Sequence, residues 1–398
     1  MPTISVITPA YNAAGHIGRT IASVQSQTFN DWEHIIIDDG SSDDTPAVVA
    51  AHPDERIRFV QQSNQGPSAA RNHGINLARG EYLIFLDAGD WWAKDCLEVL
   101  LNGFRERQGG DVIAHGDWAL VDLFGNVGRV HSSRFARGDG PATLLLYNPF
   151  CIHAALVPTA LVAGIGGFRK SGSVEDWQLW LRLALGGCRF IHVPRLVAYY
   201  HWQPDSRSKA IDQRGTIQLL DATWATISPD DPLQAIRGQS YATAYVDMCV
   251  SRFGQGDVEQ ALADFDTAVS CHPPTIGEID TYYRIAYAEQ APHEGADEVL
   301  NDELDESAAR TRIDQILNHL NNKYQPAQRE AGRRAAFTAL GLAGYHEQRH
   351  TLARACLWSV IREKPSSLQD RTVGGTFIKT LVPAGLLNDL RKWRQGAA

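Results

Sequence analysis

Three short apolar runs near the start of the chain each end abruptly in polar or acidic residues. They occupy residues 4–8, 34–38 and 82–86, and acids stand at the ends of the second and third, at Asp38 and Asp87. An uncharged run of this length is typical of a strand that is buried on both faces. We therefore expect three strands of one sheet, with the acids at their ends available to a ligand rather than to the core.

Helical patterns separate these strands. Ile17, Ile21 and Val24 recur at helical spacing after the first run, and residues 68–78 form another helical segment before the third. Repeated strand and helix units of this size predict an α/β fold, with a parallel sheet covered by helices on both faces. Ligands bind outside the carboxyl ends of the strands in such sheets, so the loops after the three runs should meet at one site.

Length and composition favour two domains. A chain of 398 residues with 44% apolar residues exceeds the usual size of one domain. We expect one domain at residues 1–210 and a helical one at 211–398, where strand signals almost vanish. The net charge of -9 disfavours nucleic acid as a partner. The six cysteines lack C-x-x-C spacing, so they predict neither a zinc site nor a disulfide framework.

Five motifs in a fixed order give the chain a family resemblance. They read TPAYN, QTFNDWEHIIIDDGSSDDT, NQGPSAARNHGI, GEYLIFLDAGDWW and VEDWQLWLRLA, within residues 3–205. Together they resemble glycosyltransferase family 2, the inverting nucleotide-sugar transferases with the GT-A fold. The resemblance implies a GT-A domain, whose Rossmann-like sheet is mostly parallel, followed by an α-helical extension.

The resemblance assigns nucleotide binding to the strand ends. Tyr11 offers a flat face on which a pyrimidine can stack, unless it only packs the loop. Asp39 is expected to accept a hydrogen bond from the base, while Asp38 holds the turn. Arg71 reaches the base edge or a phosphate, with a surface ion pair as the alternative. The predicted nucleotide-binding residues are Pro9, Tyr11, Asp39, Arg71 and Asp87, and the expected donor is a UDP-sugar.

A metal motif of the family is matched incompletely. Asp87 and Asp90 bracket a segment that resembles D-x-D-D, and carboxylates beside a diphosphate suit Mg²⁺ or Mn²⁺. Gly89 stands where the family most often has the acid that contacts the metal. Either Asp90 replaces that acid, or Asp87 and the diphosphate hold the metal alone, or the site binds metal weakly. His201 is a third candidate ligand, with a structural histidine as its alternative.

Glu175 and Asp176 match the second signature of the family and open an amphipathic helix. Inverting transfer needs a carboxylate that removes the proton of the acceptor hydroxyl, on the face opposite the leaving diphosphate. We expect Asp176 to be this general base and Glu175 to orient it, although the two roles are exchangeable. The alternative is a plain helix N-terminus, where the helix dipole favours acids.

The sequence thus predicts a metal-dependent inverting glycosyltransferase in glycan or polysaccharide biosynthesis. It would move a sugar from a nucleoside-diphosphate sugar to a hydroxyl of a glycan, lipid-linked or protein acceptor. The alternative, which Gly89 supports, is a catalytically degenerate GT-A scaffold whose helical domain is a protein-interaction module.

The second half of the chain contains two similar helical segments. Residues 253–273 and 344–365 each pair a helix with a terminating proline and resemble tetratricopeptide-like hairpins. The helical part would either dock a partner or acceptor, or shield the transferase domain.

The chain ends in an apolar and basic segment that includes Arg391, Lys392 and Arg394. Peripheral contact with an anionic membrane and docking on the protein itself are both open. We expect no signal peptide and no membrane-spanning helix, hence a cytoplasmic protein or one at the inner face of the membrane. Formation of a homo-oligomer is also left open.

Overall fold

The computed structural model describes residues 1–105, 111–121, 126–132, 140–169, 174–201, 213–288 and 305–381. Contacts within the chain divide it into two compact units, Met1–Ser240 and Tyr241–Ala398. The boundary expected from composition lies earlier, after residue 210, because helix formers already begin there. The helix Gln213–Trp224, which the sequence pattern places in the second domain, falls in the first unit.

The described residues of the first unit form one mixed sheet of nine strands in the order β3-β2-β1-β4-β8-β6-β9-β5, with β7 beside β6. Its strands are β1 (Ile4–Ala10), β2 (Trp32–Asp38), β3 (Ile57–Gln61), β4 (Tyr82–Phe85), β5 (Trp91–Trp92), β6 (Val112–Val121), β7 (Val127–His131), β8 (Ala155–Pro158) and β9 (Arg189–His201). The predicted α/β fold is confirmed.

The central strand β1 runs parallel to both β2 and β4. Its register pairs Ala10 with Asp38 on one side and Ile7 with Phe85 on the other. Every residue of β2 is buried, which explains its long apolar run. The carboxyl ends of β1, β2 and β4 therefore lie along the same edge of the sheet, as their parallel pairing requires.

Eight helices of the first unit are described. They are α1 (Ile17–Gln25), α2 (Thr45–Ala50), α3 (Pro67–Leu77), α4 (Cys96–Arg105), α5 (Gly140–Leu146), α6 (Thr159–Gly164), α7 (Glu175–Leu185) and α8 (Gln213–Trp224). Helix α3 starts with Pro67 immediately after Gly66, whose φ of 88° suits glycine. It also packs closely on β1, because a Cβ at Gly74 would lie 2.5 Å from Cγ2 of Ile7. This close packing fixes the position of Arg71, which lies on the same helix.

The described part of the chain beyond residue 237 is helical. Its helices are α9 (Arg237–Gly254), α10 (Val258–Cys271), α11 (Ile279–Ala286), α12 (Glu306–Lys323), α13 (Pro326–His346), α14 (His350–Glu363) and α15 (Val373–Leu381). Phe265, Tyr282 and Leu340 lie in the buried core of the second unit. Both predicted hairpin segments contain a helix, α10 and α14, that a proline follows, and their likeness to tetratricopeptide repeats stays a prediction.

Among the described residues, no helix combines the length and the apolar character that crossing a bilayer requires. Residues 382–398, to which the membrane alternative refers, lie outside the described residues.

Candidate active site

The loops after β1 and β2 are bonded to each other. The Asp39 amide donates to the Ala10 carbonyl at 2.8 Å, and the Asn12 amide donates to Oγ of Ser41 at 2.9 Å. Asn12 has a φ of 49°, which asparagine tolerates better than most residues. Pro9 is the penultimate residue of β1, and the Tyr11 side chain that follows it is 44% exposed. The paired loops thus hold an aromatic ring partly open to solvent.

Asp38 stabilises the turn after β2. Its Oδ1 accepts hydrogen bonds from the amide and the hydroxyl of Ser41, and its Oδ2 accepts one from Nε2 of Gln61 at 3.0 Å. The carboxylate is fully buried. These bonds match the turn-holding role that its position predicts.

Asp39 is tied to the loop that precedes α3. Oδ1 accepts hydrogen bonds from Nε2 of Gln62 at 2.7 Å and from the Gln65 amide at 2.9 Å, and Oδ2 accepts one from the Gly66 amide at 2.7 Å. Only 3% of the residue is exposed. A carboxylate offers about four acceptor positions, so about one remains for a ligand.

Arg71 joins the two acid motifs. Its Nη2 donates to both carboxylate oxygens of Asp87, at 2.7 and 2.9 Å, and its Nη1 donates to Oε1 of Glu175 at 2.9 Å. Burial works against the guanidinium charge, but the two carboxylates outweigh it and raise the pKa of Arg71. This cation is therefore an interior link between β4 and α7, not the surface ion pair of the alternative interpretation.

A second link connects α3 to the segment before α7. Nδ2 of Asn72 donates to the Phe168 carbonyl, and the Phe168 amide donates to Oδ1 of Asn72, both at 2.8 Å. The Phe168 ring also lies 5.4 Å from the Arg71 guanidinium carbon. These contacts fix the position of Arg71 relative to the start of α7.

Asp176 is the second residue of α7 and carries a strongly perturbed carboxyl group. Burial and the neighbouring Glu175 charge raise its pKa to about 6. Its Oδ1 accepts a hydrogen bond from the Trp177 amide at 2.7 Å, and its Oδ2 accepts one from Nδ2 of Asn148 at 3.2 Å. A carboxyl with a pKa near neutrality is suited to proton transfer.

The predicted metal residues have unequal surroundings. The Asp87 side chain is 36% exposed. Asp90 is buried, and its Oδ1 accepts a hydrogen bond from the backbone amide of His201 at 2.7 Å. Burial and the Asp87 charge raise the pKa of Asp90 well above its usual range. Within the described residues, no three His, Cys, Asp or Glu side chains are grouped as a cation site.

Gly89 adopts a φ of 113°, a backbone conformation that favours glycine. Its amide donates to Oγ1 of Thr20 at 2.9 Å, and that hydroxyl donates to the Asp90 carbonyl at 2.8 Å. The loop between the two acids is thus closed by Thr20 on α1. An acid at this position would have to adopt the same unfavourable φ.

These surroundings fit a divalent cation in one arrangement. Asp87 presents hard carboxylate oxygens that solvent reaches, although both also accept hydrogen bonds from Arg71, whereas the Asp90 carboxylate is buried. The residues present are therefore compatible with Asp87 sharing a metal with diphosphate oxygens.

The structure thus brings Arg71, Asp87, Glu175 and Asp176 close to one another, and it places Tyr11 and Asp39 on the neighbouring strand ends. Asn148 is an additional neighbour that sequence reasoning missed, because residues 111–165 carry no recognisable motif. Of the aromatic residues in that stretch, Phe150 is core and Tyr147 is exposed.

Residues 5–154 match the model of the family described as "Glycosyl transferase family 2". Together with the ordered motifs and the α/β architecture, this match shows that the segment is similar to glycosyltransferase family 2.

Two proteins to which this chain is similar are named as glycosyltransferases. A Haemophilus influenzae protein named "Uncharacterized glycosyltransferase" is 39% identical over 39% of this chain and 62% of its own length. The putative teichuronic acid biosynthesis glycosyltransferase TuaG of Bacillus subtilis is 44% identical over 27% of this chain and 43% of its own length. The chain therefore spans less than two thirds of these relatives.

A solved structure resembles this chain over most of its length. S. aureus TarS 1–349, in complex with UDP-GlcNAc, covers 87% of this chain and 92% of its own, with 16% identity and a TM-score of 0.52. At this identity the likeness concerns the fold. The predicted GT-A fold with a helical C-terminal part is confirmed.

Proposed function

We propose that this protein is an inverting glycosyltransferase that moves a sugar from a UDP-sugar to an acceptor hydroxyl. The observation that carries the proposal is the buried Arg71 link, which holds Asp87 at the end of β4 next to the start of α7. This link holds Asp87, which we assign to the donor, close to Glu175 and Asp176, which we assign to the acceptor. Such an arrangement serves a reaction between two bound substrates.

Asp176 acts as the general base in this proposal. Its pKa of about 6 leaves the carboxylate largely ionised at pH 7 and still able to accept a proton. The acceptor oxygen forms a bond to the anomeric carbon while its proton passes to Asp176. The bond between that carbon and the diphosphate breaks on the opposite face, and its electron pair leaves with the diphosphate. Asp176 then releases its proton to water.

Glu175 orients the site through Arg71. The Nη1–Oε1 bond of 2.9 Å ties the first residue of α7 to Arg71 and so helps to position the helix start that carries Asp176. The guanidinium also offsets part of the negative charge that Asp87 and Glu175 bring to the place where a diphosphate would lie.

The nucleotide would lie against the loops after β1 and β2. Tyr11, which is 44% exposed, supplies a ring face for the base beside Pro9. Asp39 uses its remaining acceptor position for the ring N–H of uracil, while its other bonds hold the loop before α3 in place. A base that lacks such an N–H would leave this buried acceptor unpaired, which disfavours cytosine and adenine and is compatible with uracil.

Asp87 would hold Mg²⁺ or Mn²⁺ together with the diphosphate, without Asp90 as a ligand. When bound, the metal neutralises negative charge on the departing diphosphate. Asp90 instead keeps the end of β9 attached to the acid loop through the His201 amide. His201 stays a candidate, although it is only 7% exposed, and its ring centre lies 5.7 Å from that of His16.

The acceptor is proposed to be a growing or lipid-linked glycan. TuaG is named for teichuronic acid biosynthesis, and an Escherichia coli relative, 40% identical over 27% of this chain and 16% of its own length, is named chondroitin synthase. Both names refer to polysaccharides, and both relatives support polymer biosynthesis as the setting of this proposal.

Calorimetric titration with UDP, with and without Mn²⁺, tests the donor site. A panel of UDP-glucose, UDP-galactose, UDP-N-acetylglucosamine and UDP-glucuronate, assayed for hydrolysis, then tests catalysis. We expect metal-enhanced UDP binding and hydrolysis of at least one donor, and Asp176→Asn should abolish hydrolysis with UDP binding retained. Absence of UDP binding would instead favour the degenerate scaffold.

A further inference from the structure

We propose that Asn148 is a positioning residue for Asp176, whose side-chain amide serves the carboxyl group in both of its protonation states. The inference rests on the proposed function, in which Asp176 is the base. It assigns a role to a side chain that neither the family motifs nor the nucleotide-binding loops include.

The geometry of the pair carries the inference. Asn148 lies in the loop after α5, and its Nδ2 donates to Oδ2 of Asp176 at 3.2 Å. The other carboxylate oxygen, Oδ1, is already bonded to the Trp177 amide. Asn148 therefore donates to Oδ2, the carboxylate oxygen to which the Trp177 amide does not donate.

The second amide atom of Asn148 is unusual. Its Oδ1 is enclosed by protein and has no hydrogen-bond partner. An unsatisfied buried acceptor costs about 1 to 3 kcal/mol, which an apolar side chain of the same shape would avoid. An amide at this position is therefore explained by what it does for Asp176 and not by packing.

A half-turn of the amide exchanges its nitrogen and oxygen. When Asp176 is ionised, the N–H of Asn148 donates to Oδ2. When Asp176 has taken the proton of the acceptor hydroxyl, the turned amide offers Oδ1 as an acceptor for that proton. One side chain can thus hold the base in place before and after the proton transfer, without adding charge to the site.

The charged groups around Asp176 explain why an uncharged hydrogen-bond partner suits it. Glu175 and Asp87 both disfavour its negative charge, and Arg71 favours it. The Cys151 thiol is a further titratable neighbour, and burial raises its pKa well above the usual range. The N–H bond to the ionised carboxylate is charge-assisted and therefore stronger than the bond that the turned amide makes to the neutral acid. Losing both bonds should thus raise the pH at which the base becomes active.

Asn148→Leu and Asn148→Asp test this role. Leucine keeps the approximate shape and loses both hydrogen bonds, whereas aspartate keeps the shape and adds a second carboxylate beside Oδ2. Hydrolysis of the preferred UDP-sugar of the panel is measured from pH 5 to pH 9. We expect the acid limb of the kcat profile to move upward by about one pH unit for Asn148→Leu, and further for Asn148→Asp.

At pH 6 this shift corresponds to a roughly fivefold lower kcat for Asn148→Leu, with most of the rate regained at pH 9 and KM for the donor little changed. Asn102→Leu and Asn102→Asp, on the exposed surface of α4, are the matched controls and should leave the profile in place. If Asn148→Leu unfolds, as thermal melting would reveal, the nearly isosteric Asn148→Asp carries the test.

A loss of rate that is equal at every pH, or an unchanged profile, would overturn the positioning role. Asp176→Asn separates this result from failure of the proposed function. If Asp176→Asn abolishes hydrolysis while the Asn148 variants show no shift, only the present inference fails. If Asp176→Asn remains active, the assignment of the base itself is wrong.

Discussion

Nη1 of Arg71 and Oε1 of Glu175 lie 2.9 Å apart, although the two residues are 104 positions apart in the sequence. The same guanidinium holds Asp87, so one buried cation serves both acid motifs of the family. Arginine suits this task because its planar fork of donors engages two carboxylates at fixed angles.

Replacing Arg71 should destabilise the first unit. Arg71→Met leaves Glu175 and Asp87 without their cation, and we expect a loss of about 2 to 3 kcal/mol in the free energy of unfolding, limited by the solvent that reaches Asp87. Urea unfolding at pH 7.5 measures it. The control is Arg195→Met, which removes an ion pair to Asp95 of 2.7 Å in which Arg195 is 64% exposed. This control should lose less than about 1 kcal/mol, and equal losses would contradict the bridging role.

The raised pKa of Asp176 predicts that the folded state becomes less stable as the pH rises. The folded protein holds this proton up to about pH 6, whereas the unfolded chain releases it near pH 4. Stability contributed by the carboxyl is therefore present below about pH 4 and lost as the pH rises to about 6. Asp176→Asn should thus be more stable than the wild type by about 2 to 3 kcal/mol at pH 8, and the advantage should shrink toward pH 5.

Thermal melting of Asp176→Asn and the wild type from pH 5 to pH 8 measures this difference. Asp230→Asn, at an exposed position, is the control and should show no such trend. A constant difference at all pH values would mean that the Asp176 carboxyl does not titrate in this window.

Asp87 and Asp90 should behave differently when neutralised. Asp90→Asn keeps an oxygen for the His201 amide, so the melting temperature and Mn²⁺-dependent UDP binding should be retained. Asp87→Asn should weaken that binding by about 10-fold to 100-fold, because a charged ligand is lost. Calorimetric titration of both variants with UDP and Mn²⁺ measures this difference. An equal loss of binding in the two variants would indicate that Asp90 is also a metal ligand.

Introducing the family's usual acid should not improve the site. Gly89→Asp must adopt a φ of 113°, so we expect a loss of about 1 to 3 kcal/mol in stability and no gain in Mn²⁺ affinity. Gly89→Ala separates backbone strain from charge, since it should lose a similar amount of stability. Tighter Mn²⁺ binding by Gly89→Asp would show that only the missing carboxylate limits the metal site.

The strands that form the site were predictable because their apolar runs are uninterrupted. Residues 34–38, for example, lie within the fully buried β2, and the acids do follow the strand ends. The pairing of Arg71 with Glu175 was not predictable, because it depends on how the segment before α7 packs on α3. No local pattern encodes that contact.

The position of Asp39 at a strand end was recognisable from the sequence, but its hydrogen-bond partners were not. Its neighbours in sequence indicate a strand end, but three of its acceptor positions are taken by Gln62, Gln65 and Gly66. Those partners lie 23 to 27 positions away, in a loop whose path depends on β3 and α3. Sequence reasoning identified the residue, and only the folded chain identifies its partners.

The hydrogen bond between the Asp90 carboxylate and the His201 amide joins residues 111 positions apart. Contacts of such long sequence separation close large loops and tend to form late in folding. On the ribosome, the acid loop after β4 emerges long before β9 has been translated. A nascent chain that stops short of β9 would therefore leave the sheet edge that carries Asp87 and Asp90 incomplete, so the order of synthesis delays the completion of this edge until the first unit is nearly whole.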